Sequence, residues 1–367
     1  MKMPVLTIGT LAKALAALVA IMALSVVSLA LSVRPSYPAE RLAVVSETKD
    51  ALPETLSFSV MTYNIEGLPW PARSGRADKL EGIRTELKRL ETTGELPDLV
   101  LFQEAFSEEA LEMAAASPFK SFALGPKRAT LGSEIAKKHQ GEIEREWSRG
   151  EWGIKILGSG LAVASRYPLS KIAEETYGTR ACAGWDCLSN KGVVLLSVDI
   201  PGLRTPLEVA TTHMNSKGSS GVSREKQTAA HGLQSLILAD FLNRYSRPES
   251  PLILAGDFNM RHSPARFDQF RSVEKAELAR EYCLRAQSND PEAKCEILIS
   301  FDGDHPWLDT QDLQFFHGGS EIGISPFKLE AWFDGPDSGG RLSDHDAYIV
   351  TYRLFENEDA KATIDQS

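Results

Sequence analysis

The sequence lacks several features that would define a specialised class of protein. Its 367 residues contain no internal repeat and no low-complexity tract, which argues against a solenoid or a fibre. It also lacks a basic excess, because residues 57–367 carry 46 acidic and 35 basic side chains, a formal charge of −11. A field of this sign repels polyanions at long range, so it weakens a role in holding long nucleic acid, although a local basic patch can survive in an acidic protein.

Cysteine is scarce, and the four cysteines do not form a zinc-binding pattern. Cys182 and Cys187 are five residues apart, Cys283 and Cys295 are twelve apart, and neither pair has C-x-x-C spacing or a histidine cluster beside it. Two local disulfides are the simplest of the three connectivities, and structural zinc is the weaker alternative. Disulfides are typical of an exported protein.

An uncharged apolar run extends from Ala14 to Val33, and Lys2 and Lys13 precede it. In helical form its twenty residues rise about 30 Å, the thickness of a bilayer's hydrocarbon core. The upstream lysines favour a cytoplasmic N-terminus and an exterior domain. Length favours an uncleaved anchor over a cleaved signal peptide, for which Ser28-Leu29-Ala30 is an imperfect site.

These features predict four regions. Residues 1–34 would form a signal-anchor or transmembrane helix, residues 35–55 a linker, residues 56–356 the large folded domain and residues 357–367 a flexible tail. The domain would face the periplasm or the exterior, and it would be secreted if the leader is cleaved.

Short apolar runs dominate the domain, and few long helices alternate with them. Lys79–Thr92 and Arg224–Tyr245 are the helix candidates, the second with Leu233, Ile237 and Phe241 at helical spacing. This pattern favours an α/β fold with two sheets packed face to face and helices outside them, rather than a parallel βαβ wheel. Residues 127–152 are rich in charge and poor in large apolar groups, which favours a solvated excursion over a binding element.

Four of the predicted strands end on a polar side chain: Asn64, Glu104, His213 and Asp257. Strand ends are rigid and the loops beyond them can hold a substrate, so these groups predict a common cleft. Any one of them alone is explained by a turn, a cap or a structural histidine. The prediction therefore depends on their occurring together.

Two tighter motifs support that cleft. In Gly256-Asp257-Phe258-Asn259, alternation places the carboxylate and the amide on one side, with the phenylalanine facing the core. In Ser343-Asp344-His345-Asp346, a carboxylate adjacent in sequence is a candidate to fix the tautomer of the histidine.

The ordered set of motifs resembles the endonuclease/exonuclease/phosphatase superfamily over residues 56–354. The motifs are Thr-Tyr-Asn64, Phe-Gln-Glu104, Thr-His213-Met-Asn215, Gly-Asp257-Phe-Asn259 and Ser-Asp344-His345. The resemblance implies a four-layer α/β sandwich of two packed mixed β-sheets flanked by helices, with the active-site cleft at one rim.

The same resemblance implies roles for individual residues. Glu104 and Asn64 would hold Mg²⁺ (or Mn²⁺), since carboxylate and amide oxygens suit such a cation. Catalysis would fall to five residues: His345 oriented by Asp344, Asp257 sharing in proton transfer, and Asn259 and His213 on the phosphoryl oxygens. Asn215 and Lys191 would contact the substrate. One departure is Gln311-Asp312-Leu-Gln-Phe315, where the family often has an Asp-Tyr-x-Phe-like strand; the aspartate is kept and the aromatic is lost.

The motifs do not select the substrate. Segments 158–168 and 186–193 are similar to the sphingomyelinase-like branch, which favours a phosphodiesterase acting on a lipid or small phosphodiester. The alternatives are an extracytoplasmic endonuclease of the deoxyribonuclease-like kind and, in a different class, a non-catalytic surface-binding protein on the same fold. The tryptophans are scattered along the chain, and no protein partner can be inferred.

Overall fold

The structure is a computed structural model. It describes residues 36–43, 55–132, 134–138, 144–289, 295–299, 310–333, 335 and 340–357, together with Lys13, Ala17, Leu18, Ala20 and Ile21. The chain divides into two compact units, Met1–Tyr37 and Pro38–Ser367, and the second unit is the one described below.

The second unit contains thirteen strands among its described residues. They are β1 (Leu56–Asn64), β2 (Leu99–Gln103), β3 (Ser121–Leu124), β4 (Ala162–Ser165), β5 (Leu169–Thr176), β6 (Gly192–Val198), β7 (Leu207–His213), β8 (Leu252–Asp257), β9 (Glu277–Leu278), β10 (Glu296–Leu298), β11 (Asp312–His317), β12 (Ile322–Trp332) and β13 (Ala347–Glu356). The helices are α1 (Ala77–Thr93), α2 (Glu108–Ala115), α3 (Glu134–Lys138), α4 (Arg224–Tyr245), α5 (Pro264–Val273) and α6 (Ala279–Asn289). Single 3₁₀ turns lie at Trp147–Arg149 and Gly184–Leu188.

The strands form two mixed sheets. The seven-stranded sheet has the order β10-β12-β13-β1-β2-β4-β3, and the six-stranded sheet has the order β5-β6-β7-β8-β11-β9. Each sheet has a parallel pair near its centre, β1 with β2 and β7 with β8, and antiparallel neighbours flank both pairs. The seven-stranded sheet has a further parallel pair at its edge, β10 with β12. Two mixed sheets flanked by helices confirm the predicted α/β sandwich.

The main core lies between the two sheets. Phe58 and Val60 of β1 belong to one buried cluster with Val209 of β7 and Ile253 of β8, because alternate residues of each strand face the opposite sheet. A second cluster lies on the outer side of the six-stranded sheet, where α4 and α5 pack.

Helix α4 has the predicted bounds. Its Leu233, Ile237 and Phe241 are buried in the second cluster. The helix begins after Ser223, whose hydroxyl accepts a hydrogen bond from the backbone N–H of Lys226 (3.3 Å) and so satisfies one of the free donors of the first turn. The two predicted disulfides, Cys182–Cys187 and Cys283–Cys295, are also present.

The N-terminal predictions have a mixed outcome. In the part of the chain that the structure describes, no helix is both long and apolar enough to cross a bilayer. The predicted span over residues 14–33 lies outside the described residues apart from four of them. Part of the predicted linker differs from expectation, because Arg41 pairs with Phe122 of β3 through two backbone hydrogen bonds (2.8 and 3.2 Å). Strand β3 is an edge strand, so its free N–H and C=O groups are available for this pairing.

Candidate active site

The four polar strand ends meet at one edge of the sandwich. Asn64 ends β1 and His213 and Asp257 end β7 and β8, while Glu104 directly follows β2. The carboxyl ends of parallel neighbours lie at the same edge of a sheet, and His213 is the register partner of Asp257. The Asn64 amide joins the two sheets by donating from Nδ2 to Asp257 Oδ2 (3.1 Å).

A glycine permits the close approach of β7 and β8 at this edge. Gly256 has φ +147°, and a Cβ atom at that position would lie 2.0 Å from the carbonyl oxygen of Thr212. No L side chain can be accommodated at that distance. The glycine of the Gly-Asp-Phe-Asn motif therefore allows Asp257 and His213 to lie side by side.

Glu104 turns out of β2 in an uncommon backbone conformation. Its φ is +57°, in the left-handed region that residues other than glycine seldom occupy. Its side chain is 20% exposed, and Oε1 lies 4.0 Å from Nε2 of His213. Burial raises the pKa of Glu104, while the charges of Lys191 and His345 and a hydrogen bond with Asn64 act in the opposite direction. This carboxylate is therefore the accessible anionic oxygen donor at the floor of the cleft.

Asp257 is buried and fixed at both oxygens. Oδ1 accepts from the backbone N–H of Asn259 (2.9 Å), and Oδ2 accepts from Asn64. Burial raises its pKa to about 7; the charge of His345 opposes this rise, and the neighbouring carboxylate of Asp312 adds to it. Asp257 can thus gain or lose a proton near neutral pH.

His213 lies between a cation and the two carboxylates. Lys191 Nζ donates to its Nε2 (3.0 Å), and Oδ2 of Asp257 lies 3.4 Å from the same nitrogen. Burial, followed by the charges of Lys191 and His345, lowers the pKa of His213 well below its usual value, so the ring is neutral. Its Nδ1 is buried and has no hydrogen-bond partner among the described residues.

Lys191 is held in the protein interior rather than extended into solvent. Its ammonium group forms an ion pair with Asp186 (3.1 Å) and donates to the carbonyl oxygen of Met214 (2.9 Å). The residue is 5% exposed. Lys191 therefore places a buried positive charge against His213. The sequence had instead predicted that Lys191 contacts the substrate directly.

The partner of His345 differs from the sequence prediction. His345 Nδ1 bonds Oδ2 of Asp312 (2.6 Å), and the Gln311 amide lies 3.1 Å from its Nε2. Burial, the largest single influence, lowers the pKa of His345, but the ion pair with Asp312 and the charges of Asp257 and Asp344 outweigh it and raise the pKa to about 10. The expectation that Asp344 orients this ring is corrected, because Asp312 takes that position.

Asp344 lies instead at the rim of the cleft. Its side chain is 53% exposed and 3.5 Å from Nη2 of Arg73, which also pairs with Glu66 (2.7 Å). The chain bends at Ser343–His345 before β13 begins, so His345 enters the site and its neighbour does not. Asp344 still contributes negative charge near the imidazole.

Asn259 and Asn215 have different surroundings. Asn259 has φ +52° and donates from Nδ2 to the carbonyl oxygen of Met214 (3.2 Å) beside the site. Asn215 is fully buried, with Oδ1 accepting from the N–H of Ala183 (2.8 Å) and Nδ2 donating to the carbonyl of Ser216 (3.1 Å). Both ends of the Asn215 amide are thus engaged within the protein, away from the predicted substrate contact.

Two supporting residues have roles that sequence reasoning missed. Arg266 is buried and donates to the carbonyl oxygens of Asn215 (2.8 Å), Asn259 (2.9 Å) and Ser216 (3.2 Å), which fixes the loops behind the site. Nothing in its local sequence distinguishes it. Asp312 could have been predicted as a site residue from the sequence, because it is a carboxylate at the start of an apolar strand. In the structure its register partner on β8 is Asp257.

The donor set fits a hard divalent cation. Among the described residues, no group of three histidine, cysteine or acidic side chains is arranged to hold a metal ion on its own. Magnesium is commonly held by one or two carboxylates, and waters and substrate phosphates complete its coordination. The Glu104 carboxylate beside the Asn64 amide meets that requirement, whereas a closed cage of soft ligands would indicate another metal.

Comparison with known proteins establishes the family. The model of the Endonuclease/Exonuclease/phosphatase family matches residues 61–345, and the chain belongs to this family. Its members are hydrolases that act on phosphodiesters. The two ends of the match coincide with strand β1 and with His345.

Individual relatives point to the same fold. The chain is 33% identical over 113 residues to sphingomyelin phosphodiesterase 2 of Rattus norvegicus, a stretch covering 29% of this chain and 25% of that protein. Sphingomyelinase C from Streptomyces griseocarneus is similar in structure with a TM-score of 0.52 at 17% identity, covering 81% of this chain and 99% of that one. Beta toxin from Staphylococcus aureus, solved with bound magnesium ions, gives 0.52 at 15% identity, covering 82% and 100% of the two chains. At these identities the structural likeness shows the fold.

Proposed function

We propose that this protein is a metal-dependent phosphodiesterase that cleaves a lipid or small phosphodiester by in-line attack of water. The observation that carries the proposal is the convergence of strand ends from both sheets. It places the Glu104 carboxylate and the Asn64 amide beside Asp257, His213 and the His345–Asp312 pair; the Asn64 Nδ2 donates to Asp257, and its Oδ1 accepts from the backbone N–H of Glu66 (3.0 Å). Such a set offers a cation site and proton-transfer groups within one cleft.

Glu104 and Asn64 would hold the cation, Mg²⁺ or Mn²⁺. Their oxygens are the hard donors that such ions prefer. When bound, the ion supplies positive charge to the phosphoryl oxygens of the substrate. A bound cation would offset the burial that raises the pKa of Glu104 and would hold its carboxylate in the anionic form.

His345 would orient and polarise the attacking water. The Asp312 carboxylate fixes Nδ1 of the ring, so Nε2, which lies 3.1 Å from the Gln311 amide, is the nitrogen that would contact the reacting groups. Asp257 lies opposite Asp312 in the register of β8 and β11 and shares the proton of this cluster. Asp312 thus acts as a positioning residue for His345.

The remaining groups would bind the phosphoryl oxygens. The Asn259 amide lies behind Asp257. The neutral His213 ring accepts from the buried ammonium of Lys191 at Nε2, so its Nδ1–H, which has no hydrogen-bond partner among the described residues, would be the donor to a phosphoryl oxygen. Donors and charges that are fixed before the substrate arrives stabilise a developing negative charge without reorganisation. Asp344 and Arg73 at the rim would act on substrate entry rather than on the reacting atoms.

The substrate proposal rests on a relative, on one exposed side chain at the rim and on the net charge. The rat relative named as a sphingomyelin phosphodiesterase favours a sphingomyelin-like lipid, although the match covers 25% of that protein. Trp70 is the most exposed tryptophan of the described residues and lies on the same loop as Arg73 at the rim. The net charge of the chain, −10, also favours a small or lipid substrate over long DNA.

The membrane-anchored location is likewise a proposal. Two disulfides accord with an oxidising compartment, which the periplasm or the exterior provides. A reporter fused after Ser367 tests the orientation: fluorescence or activity in the cytoplasm would refute an outward-facing domain.

A substrate panel tests the proposed function. The purified chain is assayed with Mg²⁺ against sphingomyelin, lysophospholipid, single- and double-stranded DNA and RNA, with Glu104→Ala and His345→Ala in parallel. We expect the highest kcat/KM on a phospholipid, with activity lost in both variants. Preference for a nucleic acid would select the nuclease alternative, and binding without turnover of any phosphoester would select the surface-binding alternative.

A further inference from the structure

We propose that a second, basic cavity beside strand β5 binds a phosphate group, carried either by free phosphate or by the headgroup of an anionic lipid. This proposal does not depend on the hydrolytic function, since the cavity is lined by different residues from the catalytic cleft. Its walls are residues 128–132, the end of β5 with the turn after it, α3 and the residues before β6.

The charge of the cavity is opposite to that of the whole chain. Four basic residues and no acidic residue are found among the described residues that line it: Arg128, Lys137, Lys155 and Arg180. The net charge of the chain is −10, so a group of basic side chains without a carboxylate among them differs from the average charge of the protein. Lining charges of one sign in a concave site attract a small counter-ion strongly.

The cavity is large enough for such an anion. Its volume is about 230 Å³, and one water molecule takes up about 30 Å³ in the liquid. A phosphate group therefore fits together with several waters or with a short headgroup. The exposed Leu131, which leaves 86% of its surface in solvent, lies among the lining residues and would face the apolar part of a lipid.

Two buried polar groups at the cavity have no hydrogen-bond partner among the described residues. They are Nη1 of Arg128 and the hydroxyl group of Thr176, a residue that is fully buried at the end of β5. Buried donors are nearly always paired, so each of these groups calls for an acceptor. Phosphate oxygens are strong acceptors, and Arg is suited to them because its guanidinium group presents parallel N–H donors.

The cations differ in how far they are already neutralised. Lys137 pairs with Glu134 on α3, so it contributes little unpaired charge. Burial lowers the pKa of Lys155 to about 7; the charge of Asp186 opposes this effect, and the charges of Lys191 and Arg145 add to it. The ammonium group also donates to the carbonyl oxygen of Ser189 (2.9 Å). An anion in the cavity would offset that repulsion and hold Lys155 protonated.

The walls of the cavity are fixed before any ligand binds. The Asn190 side chain donates from Nδ2 to the carbonyl oxygens of Lys127 (3.0 Å), Arg128 (3.3 Å) and Thr130 (2.9 Å), which ties the loop to the residues before β6. Gly132 forms a backbone bridge with Thr176. Residues 127–132 belong to the charged segment that the sequence predicts to be solvated. They have a fixed position here because their backbone carbonyl oxygens accept hydrogen bonds from Asn190, about sixty residues later in the chain.

Asn190 also separates the cavity from the catalytic cleft. Its neighbour Lys191 extends toward His213, whereas Asn190 itself extends toward residues 127–130. Ligand binding at one site can therefore be removed by substitutions that leave the other site intact.

The experiment compares Arg128→Gln/Lys155→Gln with a control of equal charge change, Lys88→Gln/Lys120→Gln, whose lysines are exposed and line no part of the cavity. Inorganic phosphate is titrated calorimetrically into the full chain in EDTA and in a Glu104→Gln background, so that the catalytic site does not contribute. Sedimentation with phosphatidylcholine vesicles, with and without phosphatidylglycerol, is the second arm. All variants carry the same N-terminus, so its affinity for vesicles cancels in the comparison.

We expect phosphate to bind the control and to bind the cavity variant about tenfold more weakly or worse, since each charge-assisted hydrogen bond contributes at least that factor. A parallel loss of the phosphatidylglycerol-dependent sedimentation identifies the ligand as a lipid headgroup, and loss in the calorimetric arm alone identifies free phosphate. Equal binding of both probes by the cavity variant and the control overturns the proposal. Hydrolysis of bis(p-nitrophenyl) phosphate by the cavity variant in an otherwise wild-type chain, with thermal melting, verifies that the fold and the catalytic site are intact.

Discussion

Replacing Asp312 with asparagine removes the negative charge beside His345 while keeping the shape of the side chain. The Nδ1–Oδ2 contact is 2.6 Å, and the two side chains are 11% and 3% exposed, so solvent screens the pair only weakly. At an effective dielectric constant of about 20, two unit charges whose centres lie about 4 Å apart interact by roughly 4 kcal/mol. This attraction is the main influence that opposes the burial of the imidazole.

The pKa of His345 is the first quantity to follow. It is about 10 with Asp312 present, and without that carboxylate burial dominates, so we expect it to fall to about 6.5 or below. NMR titration of the imidazole Cε1–H resonance, assigned with a His345→Gln variant, measures this change directly.

The activity should fall because the ring loses its fixed orientation. We expect kcat/KM for bis(p-nitrophenyl) phosphate to drop roughly a hundred- to ten-thousand-fold, the range associated with a misplaced acid–base group. Asp344→Asn is the matched control: that carboxylate is half-exposed and pairs with Arg73 at the rim, so we expect less than about a tenfold loss.

The stability of the Asp312→Asn variant should depend on pH in a defined direction. The folded-state pKa of His345 is about 10, and the unfolded value is about 6.5. The ion pair therefore stabilises the fold fully below about pH 6.5, and its contribution disappears as the pH rises through 10. We expect the variant to lose about 2–4 kcal/mol of unfolding free energy near pH 6 and much less above pH 10. An unchanged His345 pKa with unchanged activity, or a larger effect from Asp344→Asn, would refute this assignment.

Three further substitutions test the framework of the site. Gly256→Ala should destabilise the fold by about 2–4 kcal/mol and abolish activity, because its Cβ would lie 2.0 Å from the Thr212 carbonyl oxygen; a urea midpoint within error of wild type would contradict the close strand approach. Arg266→Met should lower the unfolding free energy by about 2–4 kcal/mol, since three carbonyl oxygens lose their donor, and thermal melting equal to wild type would show that other donors replace it. Replacing Cys182 and Cys187 by alanine should lower the unfolding free energy by about 2 kcal/mol. It should also reduce activity, because the loop that carries Lys191 becomes less constrained. A variant with wild-type stability and activity would show that other contacts hold this loop.

The strand ends of the site could be predicted because their signal is local. Apolar runs that stop on Asn64, Glu104, His213 and Asp257 show in the sequence where buried strands emerge. Parallel pairing then brings these ends to a common edge. The fold class followed from the same runs together with the scarcity of long helices.

The errors arose where the chain leaves regular structure. Asn215 was expected to contact the substrate, but β7 ends at His213, so the strand alternation that would place Asn215 on the same side as His213 stops there. Asp344 was expected to orient His345 because it is adjacent in sequence. The actual partner, Asp312, lies 33 residues earlier. It opens β11 of the six-stranded sheet, whereas His345 precedes β13 of the seven-stranded sheet, so their contact depends on how the two sheets pack and not on any local pattern.

Arg266 illustrates a further limit. Its three acceptors are backbone carbonyls, which every residue carries, so no side-chain pattern marks them. The arginine itself lies on a short amphipathic helix where a charged residue is unremarkable. Its burial became evident only once the loops after β7 and β8 were placed around it.

The dependence of hydrolysis on Mg²⁺ tests the central claim most directly. Turnover of bis(p-nitrophenyl) phosphate is measured across a Mg²⁺ titration for the wild-type chain and for Glu104→Gln, which keeps the side-chain shape but removes the anionic donor. We expect EDTA to abolish wild-type activity and Mg²⁺ to restore it, and we expect Glu104→Gln to lose about a hundredfold or more in kcat/KM and to need more metal. Hydrolysis that persists in EDTA, or an unchanged metal dependence in Glu104→Gln, would contradict the account.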